Sequence, residues 1–342
     1  MKLLEATESL HPGNFAFVMA TGIISVGLDY LSLTGWSGAF FWMAVAAWVV
    51  LLALCLVRAV RFPRAVMIDL TSPRMVFSYF TLVAATDIVG LLLFDRGYQA
   101  WAIACWFIAF VTWALLLYLA FSVLTFLSHE NNVNIMHGGW LITIVGTQSL
   151  VLLGCKIAPL FGSFEHYMML EVHMLWGLGL CLYGIFVTLF CYRIFFLKLK
   201  PEHVSPLIWV IMGAAAISVN AGSSLLGLTN PSSFLEAQRP FIDGITLMVW
   251  SWATWWIPLL FLFGFWKHLA NRIPLNYEPI IWSMVFPLGM YTVASLKVGS
   301  LAEFPPMIWI GKIMIVVALI AWAFAALGLL KRISVFFRAS EV

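Results

Sequence analysis

Ten apolar runs, each about the length of a bilayer-crossing helix, are separated by connections too short to hold a folded domain. This restricts the fold more than any other feature of the chain. The runs cover residues 15–31, 38–57, 75–94, 99–127, 140–154, 170–196, 207–228, 244–266, 280–296 and 307–330. Lipid offers a bare backbone no hydrogen bonds, so such runs must cross it as helices that satisfy their own N–H and C=O groups. Hydrophobic residues make up 63% of the 342 and charged residues 10%, against roughly 25% charged in soluble domains. Short connections make neighbours in sequence pack as antiparallel hairpins. The expected fold class is all-α integral membrane, with residues 1–342 forming a single transmembrane unit between short N- and C-terminal tails.

Basic residues give the orientation. Lys2, Arg58, Arg61, Arg64, Arg74, Arg193, Lys198, Lys200, Lys267, Arg272, Lys331, Arg332 and Arg338 lie before the first run or after even-numbered ones. After odd-numbered runs come Arg96, Lys156, Arg239, Lys297 and Lys312. Thirteen against five places both termini in the cytoplasm of a cell bounded by its plasma (inner) membrane. The opening MKLLEATESLHPG has two glutamates and no apolar core, so it does not read as a cleavable signal.

Several functional classes are disfavoured. A dispersed net charge of +3 gives no footprint for nucleic acid. No HExxH, GxSxG or P-loop pattern is present, so no catalytic residues are assigned. Cys55, Cys105, Cys155, Cys181 and Cys191 lack CxxC spacing and read as core packing. His166 and His173, with Glu171 between them, share a helix face; this is a weak pattern for haem, whose paired ligands come from facing helices. His11, His129, His137, His203 and His268 lie near predicted membrane surfaces. No metal or cofactor is assigned, and a membrane redox enzyme stands as the rival from another class.

The stretch 277–299, YEPIIWSMVFPLGMYTVASLKVG, is interrupted by Pro287 and Gly289, with Phe286 on the expected bend. Pro287 has no N–H for the carbonyl of Ser283, and its ring presses on that carbonyl. A break at membrane depth is tolerated where it faces protein or a water-filled cavity, so this helix should line something. By itself Phe286 reads equally as filler for the space a proline bend leaves.

A repeat runs through the odd spans. Each opens on proline or histidine with a bulky residue three further on: Pro12 and Phe15, Pro73 and Val76, His137 and Trp140, Pro206 and Trp209, Pro279 and Trp282. Ten residues past four of these anchors stand Gly22, Thr147, Ala216 and Gly289, with Val83 as the exception. Even spans such as AWVVLLALCLV and WAFAALGLLK are bulkier and more uniform, a surface that suits lipid. The expectation is an inner ring of odd helices and an outer ring of even ones, five hairpins about one axis. A small-residue stripe fits pore lining and plain helix packing alike. Phe15, Trp140, Trp209 and Trp282 read as interfacial aromatics.

HPGNFAFVMATGI, WLITIVGTQSLVLLG, SPLIWVIMGAAAISVNAG and WSMVFPLGMYTVASL, in that order along nearly the whole chain, resemble the tellurite-resistance/dicarboxylate transporter family. That family takes in TehA, guard-cell slow anion channels, malate permeases and sulfite efflux pumps. The resemblance implies ten helices in five hairpins with quasi-five-fold symmetry, a central pore in each protomer, a homotrimer in the lipid bilayer, and small inorganic or organic acid anions as substrates. It also implies a phenylalanine gate at Phe286, with Pro287 and Gly289 shaping the bend.

With no basic ring at mid-depth, hydroxyls and amides would meet a passing anion weakly enough to release it. Candidate pore lining is Gly22, Thr21, Thr147, Ala216, Asn220 and Thr292, with Ser25, Gln148 and Ser218 alongside; each hydroxyl can instead serve a carbonyl of its own helix. Asp87, inside the third span, is either a proton-accepting group or a structural one. Lys297 and Asp29 lie near outer ends of odd spans, where a lysine either snorkels or draws anions to the mouth. The functional alternatives within transport are a proton-coupled C4-dicarboxylate carrier and a sulfite or tellurite exporter.

Overall fold

The computed structural model describes residues 6–127 and 136–338. Lys2 and His129 lie outside these residues, as does the side chain of Arg338. The described chain is helical throughout. Its long helices are α1 (Ala16–Tyr30), α2 (Thr34–Arg61), α3 (Phe80–Phe94), α4 (Gln99–Ser122) and α5 (Ile142–Ile157). They continue with α6 (Glu165–Phe196), α7 (Val210–Leu226), α8 (Arg239–Phe265), α9 (Trp282–Leu301) and α10 (Pro305–Arg338). By length and composition, eight helical stretches are able to cross a membrane, one of them the 59-residue Gly138–Phe196 that contains α5 and α6. Between these two, Gly162 sits at φ 55°, a left-handed conformation that glycine adopts without penalty. Pro287 lies inside α9 without ending it.

Each odd helix is entered through a 3-10 turn: Pro12–Phe15, Val76–Tyr79, Gly138–Leu141, Pro206–Trp209 and Pro279–Ile281. These turns correct the register of the repeat. The matching positions are 12, 76, 138, 206 and 279, so the anchor taken as Pro73 moves by three residues and that taken as His137 by one. His137 is instead the residue that caps the turn, its Nδ1 accepting from the Gly139 N–H at 3.1 Å, as His11 Nδ1 does from Gly13 at 2.9 Å.

Odd and even helices are buried very differently. The apolar windows of Val76–Phe94, Pro206–Leu226 and Pro279–Leu301 are 83%, 89% and 78% buried. Those holding α2, α4, α8 and α10 are 17%, 28%, 33% and 22% buried. Each odd helix packs along the even helix that follows it, and also along two other odd helices: α1 on α3 and α9, α3 on α5, α5 on α7, α7 on α9. Missing side chains make some of these seams close. A Cβ on Gly22 would stand 2.5 Å from Ile88, one on Gly213 2.7 Å from Pro287, and one on Gly289 2.7 Å from Ile23.

Indoles tie the outer helices to the inner ones, each to the odd helix after its own hairpin. Trp48 of α2 donates to Thr86 Oγ1 of α3 at 3.1 Å, and Trp113 of α4 to Thr147 Oγ1 of α5 at 2.8 Å. Trp176 of α6 donates to the Ser218 carbonyl of α7 at 3.1 Å, and Trp250 of α8 to Ser295 Oγ of α9 at 3.0 Å. Trp322 of α10 closes the series on Thr21 Oγ1 of α1 at 3.0 Å. In a medium without water these N–H groups have no other acceptor, which makes the bonds positional devices as much as energetic ones.

Candidate functional site

Three neighbours fix how α9 is turned. Its Tyr291 and Ser295 face α8, through a 2.7 Å bond with Thr254 and the Trp250 bond. Pro287 faces α7 at Gly213, and Gly289 faces α1 at Ile23. Phe286 precedes Ser295 by nine residues, two and a half turns, so it lies on the side away from α8, between the seams to α7 and α1. It is 2% exposed. No other aromatic ring among the described residues stacks on it, whereas Trp282 one turn earlier packs on Phe17 and Trp322.

Counted from the first residue of each 3-10 turn, Phe286 stands level with Met19, Val83, Val145 and Gly213, and Pro287 with Ala20, Ala84, Gly146 and Ala214. All are buried. Phe286 is the one aromatic ring at its level, and at the next level the four other odd helices carry only small residues. The sequence carries this signal only once the register is counted from the 3-10 turns, which is why it was missed.

Ser283, one turn before Phe286, borders a cavity of about 260 Å³. The opening segments of all five odd helices contribute to its wall, through His11, Arg74 and Ser78, His137, Ser205 and Ser283 among others. His137 Nδ1 accepts from Gly139, so its Nε2–H donates to the Arg74 carbonyl at 3.0 Å. Burial lowers the His137 pKa to about 4, with Arg193 and Arg74 also opposing a second proton, so this imidazole is a neutral capping group near pH 7. His11 is lowered as well, by burial first. The polar wall is thus hydroxyls, neutral imidazoles and the Arg74 side of the cavity.

At the other end of α9, Lys297 follows Phe286 by eleven residues, about three turns, which returns it to the same side of the helix. Its Nζ donates to Ser224 Oγ of α7 at 2.9 Å. Beside this end lies a cavity of about 340 Å³ bordered by Asp29, Tyr30, Asp95, Arg96 and Lys156. Lys156 and Asp95 are paired there at 2.7 Å.

The other predicted residues divide. Thr21 and Thr147 have hydroxyls committed to Trp322 and Trp113 of outer helices, and Thr147 also donates to the Thr143 carbonyl at 2.8 Å. Both hydroxyls thus serve neighbouring helices. Thr292 donates to the Leu288 carbonyl at 3.0 Å. Gly22 and Gly289 set the spacing of α1 against α3 and of α9 against α1. Ala216 is fully buried, and Asn220 donates to Met290 Sδ at 3.3 Å with its Oδ1 unbonded. Asp87, 1% exposed, receives Ser149 Oγ at 2.7 Å, tying α3 to α5, while its Oδ1 has no partner.

Phe15, Trp140, Trp209 and Trp282, expected at an interface, are 1%, 6%, 8% and 2% exposed. They pack between helices, because each sits where a 3-10 turn meets its α-helix and the chain is crowded by neighbours on all sides. Cys181 is exposed on α6 and not part of the core, unlike Cys105 and Cys155. His173 bonds the Met169 carbonyl at 2.6 Å, and His166 lies against Tyr167.

The family described as voltage-dependent anion channel, SLAC1, matches residues 9–330. A "Sulfite efflux pump" of Arthroderma otae is 22% identical over 86% of this chain and 83% of its own length. An uncharacterized transporter of Methanocaldococcus jannaschii is 24% identical over 87% of each chain. An uncharacterized membrane protein of Mycobacterium tuberculosis is 34% identical over 42% of this chain and 72% of its own. A match over nearly the full length, on a helical scaffold apolar enough for the membrane, means that the chain belongs to the SLAC1 family of voltage-dependent anion channels.

Proposed function

We propose that this protein conducts small inorganic or organic acid anions through a narrow passage enclosed by α1, α3, α5, α7 and α9, and that Phe286 is its stopper. In this reading ten helices form five hairpins with quasi-five-fold symmetry, odd helices inside and even ones against lipid. Both termini face the cytoplasm, the membrane is the plasma (inner) membrane, and the assembly is a homotrimer with one passage in each protomer. The observation that carries the reading is the level of Phe286. Phe286 faces away from α8, next to a level at which the four other odd helices carry Ala20, Ala84, Gly146 and Ala214, and one turn from a cavity bordered by the opening segments of all five. An aromatic ring in a narrow conduit excludes water and ions until it turns aside.

The remaining wall is uncharged around Phe286, so selection follows dehydration cost and width more than charge recognition. Sulfite, named for one relative, is an anion of suitable size. The test is Phe286→Ala in reconstituted bilayers, expected to raise anion conductance about tenfold or more by removing the stopper. Unchanged or lower conductance from well-folded variant protein overturns the assignment.

The buried Asp87 and Ser149 pair favours one second reading, a proton-coupled dicarboxylate carrier in which Asp87 takes up the proton. Asp87→Asn separates the two. A channel keeps most of its conductance; a coupled carrier loses transport driven by a pH gradient.

A further inference from the structure

We infer that Lys297 is an anion-binding site within the passage, on the far side of Phe286 from the cavity at the opening turns. This rests on the passage proposed above and adds to it the one place where a permeating anion meets a positive charge. The two residues share a face of α9 and are separated by three turns, about 16 Å along the axis at 1.5 Å per residue. The lysine is bracketed by the same two helices that flank Phe286. Its Nζ donates to Ser224 Oγ of α7 at 2.9 Å, and it stands 6.0 Å from the ring of Tyr30 on α1.

Of the two lysines at this end, Lys156 has a carboxylate partner and Lys297, among the described residues, has none. Lys156 is paired with Asp95 at 2.7 Å. Arg96 lies over the Phe41 ring at 4.1 Å and donates to the Leu92 carbonyl and to Ser37 Oγ. Among the described residues no carboxylate lies within ion-pair distance of Lys297. Ser224 Oγ spends its own proton on the Asn220 carbonyl at 2.9 Å, so it presents a lone pair to the ammonium and orients it. One Nζ proton is thereby used, and two remain for a ligand.

A half-buried ammonium without a counter-charge is expensive. A small anion, chloride-sized or a carboxylate or sulfur oxyanion, removes that cost and supplies acceptors for the two free N–H groups. Asp95 is within electrostatic reach of Lys297, as is Lys156. Their pair leaves the local field close to balanced, so an anion held there is held weakly enough to leave, as conduction requires.

The test uses full-length protein in planar bilayers with chloride as the probe, in the Phe286→Ala background so that the stopper does not limit current. Lys297→Met is expected to lower chloride conductance about fivefold and to shift its saturation to higher chloride, while Lys297→Arg keeps both near the parent values. A purely structural lysine would instead alter thermal stability without changing the concentration dependence. On purified protein, chloride should raise the melting temperature of the parent and of Lys297→Arg but not of Lys297→Met. A conducting parent whose Lys297→Met variant shows the same conductance and chloride dependence overturns the site and leaves the passage standing. A parent that conducts no anion overturns the passage, and the site falls with it.

Discussion

Helices α9 and α10 are consecutive and both apolar, yet the window of the first is 78% buried at a mean hydropathy of 1.4 and that of the second 22% buried at 2.8. The less apolar helix is the one inside. The same order holds for α3 and α7, at 1.9 and 1.5, against α2 and α4, at 2.6 and 2.3. Helix α8 stays exposed at 1.5; its Trp250 and Trp252 turn their N–H groups inward, onto Ser295 and Tyr183. In water this order would be inverted. In lipid, hydrocarbon chains solvate leucine as well as another helix does, so hydrophobicity does not choose the interior; close approach and paired polar groups do.

Glycine gives the sharpest way to break that comparison. On inner α7, a Cβ at Gly213 would stand 2.7 Å from Pro287 Cγ and 3.2 Å from its Cα, atoms that cannot swing away. On outer α6, a Cβ at Gly184 meets nothing within 4 Å. Gly213→Ala should therefore cost about 2 kcal/mol through overpacking, and Gly184→Ala should gain up to about 1 kcal/mol from helix propensity alone. Thermal denaturation in detergent reads both. Shifts of the same sign would mean that the α7 to α9 seam is not what holds the interior together.

A smaller effect sharpens how the two layers are joined. Trp322→Phe keeps the ring against Phe40 and Trp282 but removes the N–H that reaches Thr21. The expected cost is about 1 kcal/mol, with most of it recovered as coupling in a double-mutant cycle with Thr21→Val. Coupling below about 0.3 kcal/mol, within the scatter of independent sites, would reduce the indole to a packing group.

The helices themselves were legible. Runs at 38–57 and 307–330 became Thr34–Arg61 and Pro305–Arg338, longer by two to three turns because the ends run past the apolar region. The 3-10 openings were legible only in part. Pro12, Pro206 and Pro279 mark them, but the second and third repeats open on Val76 and Gly138, where no proline stands to be read. Misplacing those two put Val83 and Thr147 at the tenth position in place of Thr86 and Gln148, and hid the small residues level with Pro287. The direction of each hydroxyl was not legible at all, since a threonine on a helix that is apolar on every side gives no hint of which neighbour it meets. Lys297 shows the same limit: its place near the end of a span fitted snorkelling outward, and only its bond to Ser224 turns it toward α7.

What the amino-acid order settled alone was the number and position of apolar helices, the interrupted stretch around Pro287 and the family, because a backbone in hydrocarbon must bond within its own segment and that rule acts locally. Which side of each helix meets a neighbour was decided by tertiary packing. Gly213 against Pro287, the indoles reaching Thr21, Thr86 and Thr147, and Phe286 turned away from α8 all depend on atoms far apart in the chain. Lipid-like surfaces on every side leave no amphipathic pattern from which such directions follow, so they emerge only when the helices are brought together.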